Sequence, residues 1–191
     1  VGGSGDDAIL GGEGDDSILG GEGSDVIAGG TGADQIDGGL GADQIAGGLG
    51  DDSLYGGAGT DTAIYSAADN TVDLLLTERQ STGDGSDILE DIENIRAGHG
   101  SDSLSGNDKN NMLNGQKGND SLAGRAGNDR LFGESGDDII YGNEGNDIIN
   151  GGDGNDDLIG GEGNDAIIGG DGEDFIFGND DDDFLYGNDD D

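Results

Sequence analysis

Large aliphatic residues recur at every ninth position of the chain, separated by glycine, acidic and small polar residues. From Gly2 the frame Gly-Gly-x-Gly-x-Asp-x-U-x, where U is a large aliphatic, runs without a slip, as in Gly11-Gly12-Glu13-Gly14-Asp15-Asp16-Ser17-Ile18-Leu19. Its repeats begin at Gly2, Gly11, Gly20, Gly29, Gly38, Gly47 and Gly56, the last with Ala63 at the U position. The frame returns with repeats at Ala97, Gly106, Gly115, Gly124, Gly133, Gly142, Gly151, Gly160, Gly169 and Gly178, then a partial one at Gly187. In two of these, Ala97 replaces the first glycine and Asn111 replaces the aspartate. A short fixed period marks a solenoid.

In each repeat six residues are turn formers and three predict a short strand. The middle residue of such a strand points to one face, so the U residues turn inward. They are Ile9, Ile18, Ile27, Ile36, Ile45 and Leu54, then Leu104, Leu113, Leu122, Leu131, Ile140, Ile149, Leu158, Ile167, Ile176 and Leu185. Two repeats make one coil, turn-strand-turn-strand, and coils stack about 4.8 Å apart. Repeat n then lies under repeat n+2. The predicted fold is all-β: right-handed parallel β-rolls, block one over 1–64 and block two over 97–191, with a linker or cap over 65–96. In that linker Ile64, Tyr65, Val72 and Leu74 to Leu76 suggest extended chain. Ile88, Ile92 and Ile95 have helical spacing, and one helical turn leading into a strand is expected there.

One aliphatic per nine residues is a thin core, and composition makes it thinner. Of 191 residues 45 are glycine, and the formal charge is −39, from 45 acidic against 6 basic side chains. Low hydrophobicity with high charge keeps a chain disordered on its own, so a cation must belong to the folded state. The same charge excludes nucleic acid as a partner and disfavours an anionic membrane. There is no cysteine, hence no disulfide or thiolate site. No apolar run is long enough for membrane insertion, and no signal peptide is seen. The chain opens in mid-frame at Val1 and stops inside a repeat, which suggests a piece of a longer protein.

The cation's place follows from the stacked turns. Glycine allows positive φ, so successive carbonyls converge, and the position-six aspartate adds a carboxylate. Where position two is not glycine, asparagine stands there at Asn107, Asn143, Asn179 and Asn188. Two stacked turns supply six oxygens, which suits Ca²⁺ better than Mg²⁺. The candidate carboxylates are Asp7, Asp16, Asp25, Asp34, Asp43, Asp52, Asp61, Asp102, Asp120, Asp129, Asp138, Asp147, Asp156, Asp165, Asp174 and Asp183. The candidate carbonyl donors of block one are Gly3, Gly5, Gly12, Gly14, Gly20, Gly21, Gly23, Gly29, Gly30, Gly32, Gly38, Gly39, Gly41, Gly47 and Gly56. Those of block two are Gly118, Gly127, Gly133, Gly136, Gly142, Gly145, Gly151, Gly152, Gly154, Gly160, Gly161, Gly163, Gly169 and Gly178.

The frame resembles the RTX, or hemolysin-type calcium-binding, family over nearly the whole chain. Asp61-Thr62-Ala63-Ile64-Tyr65-Ser66, Ile92-Glu93-Asn94-Ile95 and Gly106-Asn107-Asp108-Lys109-Asn110-Asn111 are similar to the interblock segments of large RTX toxins such as the adenylate cyclase toxin. The resemblance implies that an ion takes the position-two and position-four carbonyls and the Asp of repeat n. It also takes the position-one and position-three carbonyls and the Asp of repeat n+2. Carried over, one ion uses Gly12, Gly14 and Asp16 with Gly29, Thr31 and Asp34; another uses Asn143, Gly145 and Asp147 with Gly160, Glu162 and Asp165. Counting turns gives about 5 ions in block one and about 8 in block two, or roughly 10–13 in all, which would leave a net charge of about −13. The family further implies a secreted, extracellular bacterial protein exported by type I secretion.

No catalytic constellation is recognisable, so the chain is read as a non-enzyme. His99, the single histidine, is expected to face solvent. There is no G-x-S-x-G elbow, no H-E-x-x-H and no EF-hand loop. Six of the eight aromatics lie between Phe132 and Tyr186. Positions seven and nine should face outward, which exposes Ile139, Tyr141, Phe175, Phe177, Phe184 and Tyr186. Such a strip predicts packing on a cap, a neighbouring domain or a second copy. The function expected is a calcium-folded module of a larger exported toxin, enzyme or adhesin. Alternatives are a structural segment of an adhesin or surface layer, and an accessory module of a secreted polysaccharide-acting enzyme.

Overall fold

In the computed structural model, residues 1–66 and 69–188 are described. The partial repeat at Gly187 runs into residues 189–191, which lie outside them. The described chain has strands and no helix, and divides into two compact units, Val1–Arg96 and Ala97–Asp191. Each is a right-handed parallel β-roll.

In unit one, Ala8–Glu13, Val26–Thr31, Gln44–Leu49, Thr62–Ile64 and Asn94–Arg96 stack in one sheet. Gly3–Ser4, Ser17–Glu22, Gln35–Gly41, Ser53–Gly59 and Ser86–Glu90 stack in the other. Unit two repeats the plan. One sheet holds Met112–Lys117, Arg130–Ser135, Ile148–Asp153, Ala166–Asp171 and Phe184–Tyr186, the other Ser103–Ser105, Ser121–Ala126, Ile139–Glu144, Asp157–Glu162 and Phe175–Asp180. Within the regular repeats, registers pair each residue with the one 18 later, as in Ile9↔Ile27, Gly12↔Gly30 and Leu122↔Ile140.

The strands are longer than the three residues expected. Most run six, from position seven through position three of the next repeat, because the turn glycines also join the ladder (Gly12↔Gly30, Glu13↔Thr31). In a six-residue strand, position eight and the next position one face the same side. The inner surface of a rung is therefore U, then glycine, with the position-six aspartate buried at the turn. Ile18, Leu19 and Gly20 show it: buried, exposed, buried.

The U residues form the core as expected in the inner rungs. Ile36, Ile45, Leu54, Leu104, Leu113, Leu122, Leu131, Ile140, Ile149, Leu158 and Ile167 are fully enclosed. Ile9 and Ile176 are only half-buried, and Leu185 is exposed. These three lie in the first and last described rungs, where stacking covers one side only. The outward strip Ile139, Tyr141, Phe175, Phe177, Phe184 and Tyr186 is exposed, and the rings of Phe175 and Phe177 meet edge-on at 4.5 Å. His99 is exposed.

The helical turn expected near Ile88, Ile92 and Ile95 is a misreading. Ser86–Glu90 is a parallel strand that seats Leu89 on Leu54, and Asn94–Arg96 seats Ile95 on Ala63. The spacing arises because Leu89 and Ile95 are inward residues of two successive strands separated by a short turn. Gln80–Ser81 pairs antiparallel with Ser86–Asp87, forming a hairpin beside the roll.

Core depth predicts uneven mutational cost. In saturating calcium, Leu122→Ala should destabilise by about 2–5 kcal/mol, and Ile9→Ala by under about 1 kcal/mol. Chemical denaturation of both variants checks the ranking; equal costs would contradict the burial pattern.

Candidate metal centre

The turns are held by a ladder of aspartates. In each rung the backbone N–H of the position-six residue donates to Oδ1 of its counterpart two repeats later. Asp16 donates to Asp34 at 2.8 Å, Asp34 to Asp52 at 2.8 Å, Asp129 to Asp147 at 2.7 Å and Asp147 to Asp165 at 2.8 Å. Burial is nearly complete in the inner rungs, at 0–2% exposure from Asp25 to Asp61 and from Asp102 to Asp165.

The second carboxylate oxygen has no such partner. Oδ2 of Asp7, Asp16, Asp25, Asp34, Asp43, Asp52 and Asp61 is buried and accepts no hydrogen bond from the protein; the same holds for Asp120, Asp129, Asp138, Asp147, Asp156 and Asp165. A buried unsatisfied acceptor costs about 1–3 kcal/mol, more when charged. A domain's whole stability is about 5–15 kcal/mol. A row of such oxygens in one fold therefore demands a cation or a proton beside them.

Glycine makes the space, for two different reasons. Positions two and four need positive φ: Gly12 and Gly14 stand at 121° and 97°. So do Gly3, Gly5, Gly21, Gly23, Gly30, Gly32, Gly39 and Gly41, and in unit two Gly118, Gly127, Gly136, Gly145, Gly152, Gly154, Gly161 and Gly163. Position one does not. Gly20, Gly29, Gly38, Gly47, Gly56, Gly133, Gly142, Gly151, Gly160, Gly169 and Gly178 are there because each Cα faces its own aspartate's Oδ2. A Cβ on Gly11 would lie 2.6 Å from Asp16 Oδ2 and 2.5 Å from Gly29 O. The carboxylate of repeat n and the position-one carbonyl of repeat n+2 thus converge beside a bare Cα. Positive φ alone does not account for the glycines, as the sequence reading had it.

This donor set is oxygen only, from backbone and single carboxylates. Among the described residues no group of three or more His, Cys, Asp or Glu converges as a side-chain cluster. The residues fit a hard cation that accepts many carbonyls, which is the preference of Ca²⁺. They offer none of the nitrogen or sulfur that zinc selects.

Sequence reasoning missed several residues. Gln116, Arg125 and Glu134 occupy position two with φ of 74°, 81° and 79°, although their side chains disfavour that region. Asp87, inside the expected linker, continues the ladder by accepting the Asp52 N–H at 2.9 Å; Glu93 Oε2 accepts the Asp61 N–H at 3.0 Å. The signal was Gly83-Asp84-Gly85-Ser86-Asp87, a frame without its first glycine. A second ladder runs along position five with opposite polarity. Asn128 Oδ1 accepts the Asn146 N–H at 2.8 Å, and Asn146 Oδ1 accepts the Asn164 N–H at 2.7 Å. In unit one Ala33 and Ala42 interrupt it.

Burial raises the ladder's proton affinity. It pushes Asp138 up to about 7, aided by the neighbouring Asp120 and Asp156 carboxylates and opposed by the Asp120 N–H bond. Asp52, Asp61, Asp120, Asp129, Asp156 and Asp165 rise to about 6, again mainly through burial. An unfolded Asp titrates near 3.9, so protonation favours the folded roll. The cost of the charged ladder grows as pH rises above about 4 and is complete above about 7. In chelator, β signal should therefore increase as pH falls from about 7 to about 5, while calcium affinity weakens over the same window. A calcium isotherm unchanged across that range would contradict proton–calcium competition.

Comparison with known families adds an independent finding. The family model for the RTX calcium-binding nonapeptide repeat (4 copies) matches residues 1–36, 28–63, 37–72, 96–131, 124–158, 132–167 and 159–191. No curated protein matches the chain.

Proposed function

Because the chain belongs to the RTX calcium-binding repeat family, we propose that it is a module folded by calcium, in which ions fill the stacked turns and neutralise the aspartate ladder. The observation that carries this reading is the buried, unpartnered Oδ2 repeated along both units. In the regular turns the ligands would be the position-two and position-four carbonyls and Asp of repeat n, with the position-one and position-three carbonyls and Asp of repeat n+2. Gly12, Gly14, Asp16, Gly29, Thr31 and Asp34 form one such set, and Asn143, Gly145, Asp147, Gly160, Glu162 and Asp165 another. Bound calcium supplies the positive charge; the chain supplies the turn carbonyls and a carboxylate oriented by its Oδ1 hydrogen bond. Roughly 10–13 ions would offset most of the −39 charge.

Folding and binding then form one event. The use of such coupling is a chain that stays unfolded where calcium is scarce and sets where it is abundant. That suits an exported bacterial protein, a toxin, enzyme or adhesin, of which this roll is a part. Far-UV circular dichroism during a calcium titration tests it, with magnesium as control. A cooperative rise of β signal with calcium alone is expected. Full β signal in chelator at neutral pH would refute coupled folding.

The exposed strip on unit two adds a contact surface to this reading. Tyr141, Ile159 and Phe177 are stacked by register, as are Ile168 and Tyr186. Exposed apolar columns of this kind favour burial against a capping segment, neighbouring domain or second copy. Replacing Phe175 and Phe177 together by serine should lower self-association or thermal stability in calcium. No change in either would remove the contact role.

A further inference from the structure

Two turns depart from the regular chemistry in the same sense: the side-chain oxygen beside position one, left without a hydrogen bond in the regular turns, accepts one from within its own turn. In unit one, Thr82-Gly83-Asp84-Gly85-Ser86-Asp87-Ile88-Leu89-Glu90 is a nonapeptide with threonine in place of the first glycine. It lies outside the residues the family model matches. Its backbone follows the frame in part. Gly83 has φ 72°, Gly85 bridges Gly50, and Leu89 stacks on Leu54. Position one is the place where a Cβ meets the carboxylate, and here Thr82 makes that contact useful. Its Oγ1 donates to Asp87 Oδ2 at 2.6 Å, with the threonine fully buried.

In unit two the turn Gly106–Asn111 replaces the carboxylate by a neutral amide and the position-four glycine by Lys109. Asn107 N–H donates to Asn111 Oδ1 at 2.7 Å, and Asn111 Nδ2 donates back to Asn107 Oδ1 at 3.2 Å. Lys109 N–H donates to Asn107 Oδ1 at 2.9 Å. A guanidinium completes the turn, since Arg125 Nη1 donates to Gly106 O at 2.6 Å. Asn111 still joins the ladder through its N–H to Asp129 Oδ1 at 2.7 Å. What a divalent ion would supply here, loop closure and positive charge beside carbonyls, comes from side chains.

We propose that these two turns are calcium-independent staples, one in each unit, and that the ion-dependent rungs are built outward from them. The inference rests on the reading that the regular turns bind calcium. A solenoid folds by forming one interface and propagating it. A regular turn closed before its ion arrives buries an uncompensated carboxylate oxygen. The turns at Thr82 and Asn111 bury none, so they close first on loading and open last on depletion.

Amide hydrogen exchange of the full chain, with calcium withdrawn stepwise, tests this order. Amides of Asp84, Asn107 and Lys109 should stay at least about tenfold more protected than those of Gly23, Asp25, Gly145 and Asp147 at limiting calcium. Asn111→Ala should bring Asn107 and Lys109 down to the regular class. Thr82→Val should do so for Asp84, while Thr82→Ser should keep its protection. Simultaneous loss at all these amides in the unaltered chain would overturn the proposal without need of any variant. Protection unchanged in both Asn111→Ala and Thr82→Val would overturn it too. Exchange indifferent to calcium everywhere would instead refute the calcium reading on which it rests.

Discussion

One buried carboxylate oxygen per repeat governs this molecule. The position-six aspartate spends Oδ1 on the amide two repeats away and leaves Oδ2 enclosed beside a glycine Cα. Nothing else in the repeat is large enough to outweigh that cost. A single aliphatic per nine residues contributes about 1.5–3 kcal/mol when enclosed, while ordering nine backbones costs several times as much. On the proposed reading the roll is therefore an incomplete structure until a cation joins it, and its acidity is the means by which it recognises that cation.

The glycines follow from the same constraint, yet they divide into two kinds. Those at positions two and four let the backbone turn; those at position one keep a Cβ out of the carboxylate's way. The distinction shows in what replaces them. Position two accepts Gln116, Arg125, Glu134 and Asn143 in the left-handed region, at some backbone strain. Position one is filled by threonine only at Thr82, where the hydroxyl hydrogen-bonds to the carboxylate it would otherwise crowd.

Two hydrogen-bond ladders of opposite polarity clamp successive turns. The inner one runs through the aspartates and is charged. The outer one includes a neutral run through Asn128, Asn146 and Asn164. In unit two its acceptors are mostly asparagines, with Asp137 among them, whereas in unit one they include the carboxylates of Asp6, Asp15 and Asp51, and Ala33 and Ala42 offer none. The two units thus share a fold and an aspartate ladder but differ in how much of their outer ladder is held without charge.

The period, the parallel roll, the inward U residues and the aspartate column are legible in the residues alone. Each repeats at one phase, and a period of nine with stacking at 18 leaves little choice of partner. Folding adds what depends on a neighbouring rung. It set the strands at six residues, since the turn glycines pair only when a second rung is present. It left Ile9, Ile176 and Leu185 incompletely covered, because burial of a U residue needs rungs on both sides. It replaced the helical turn expected before a strand near Ile88, Ile92 and Ile95 by two strands around a corner, because Leu54 and Ala63 offered edges to pair with. Local spacing cannot distinguish one amphipathic turn from two strands around a short corner. The role of Thr82 was equally hidden, since its meaning lies in a contact with Asp87 that only the folded turn creates.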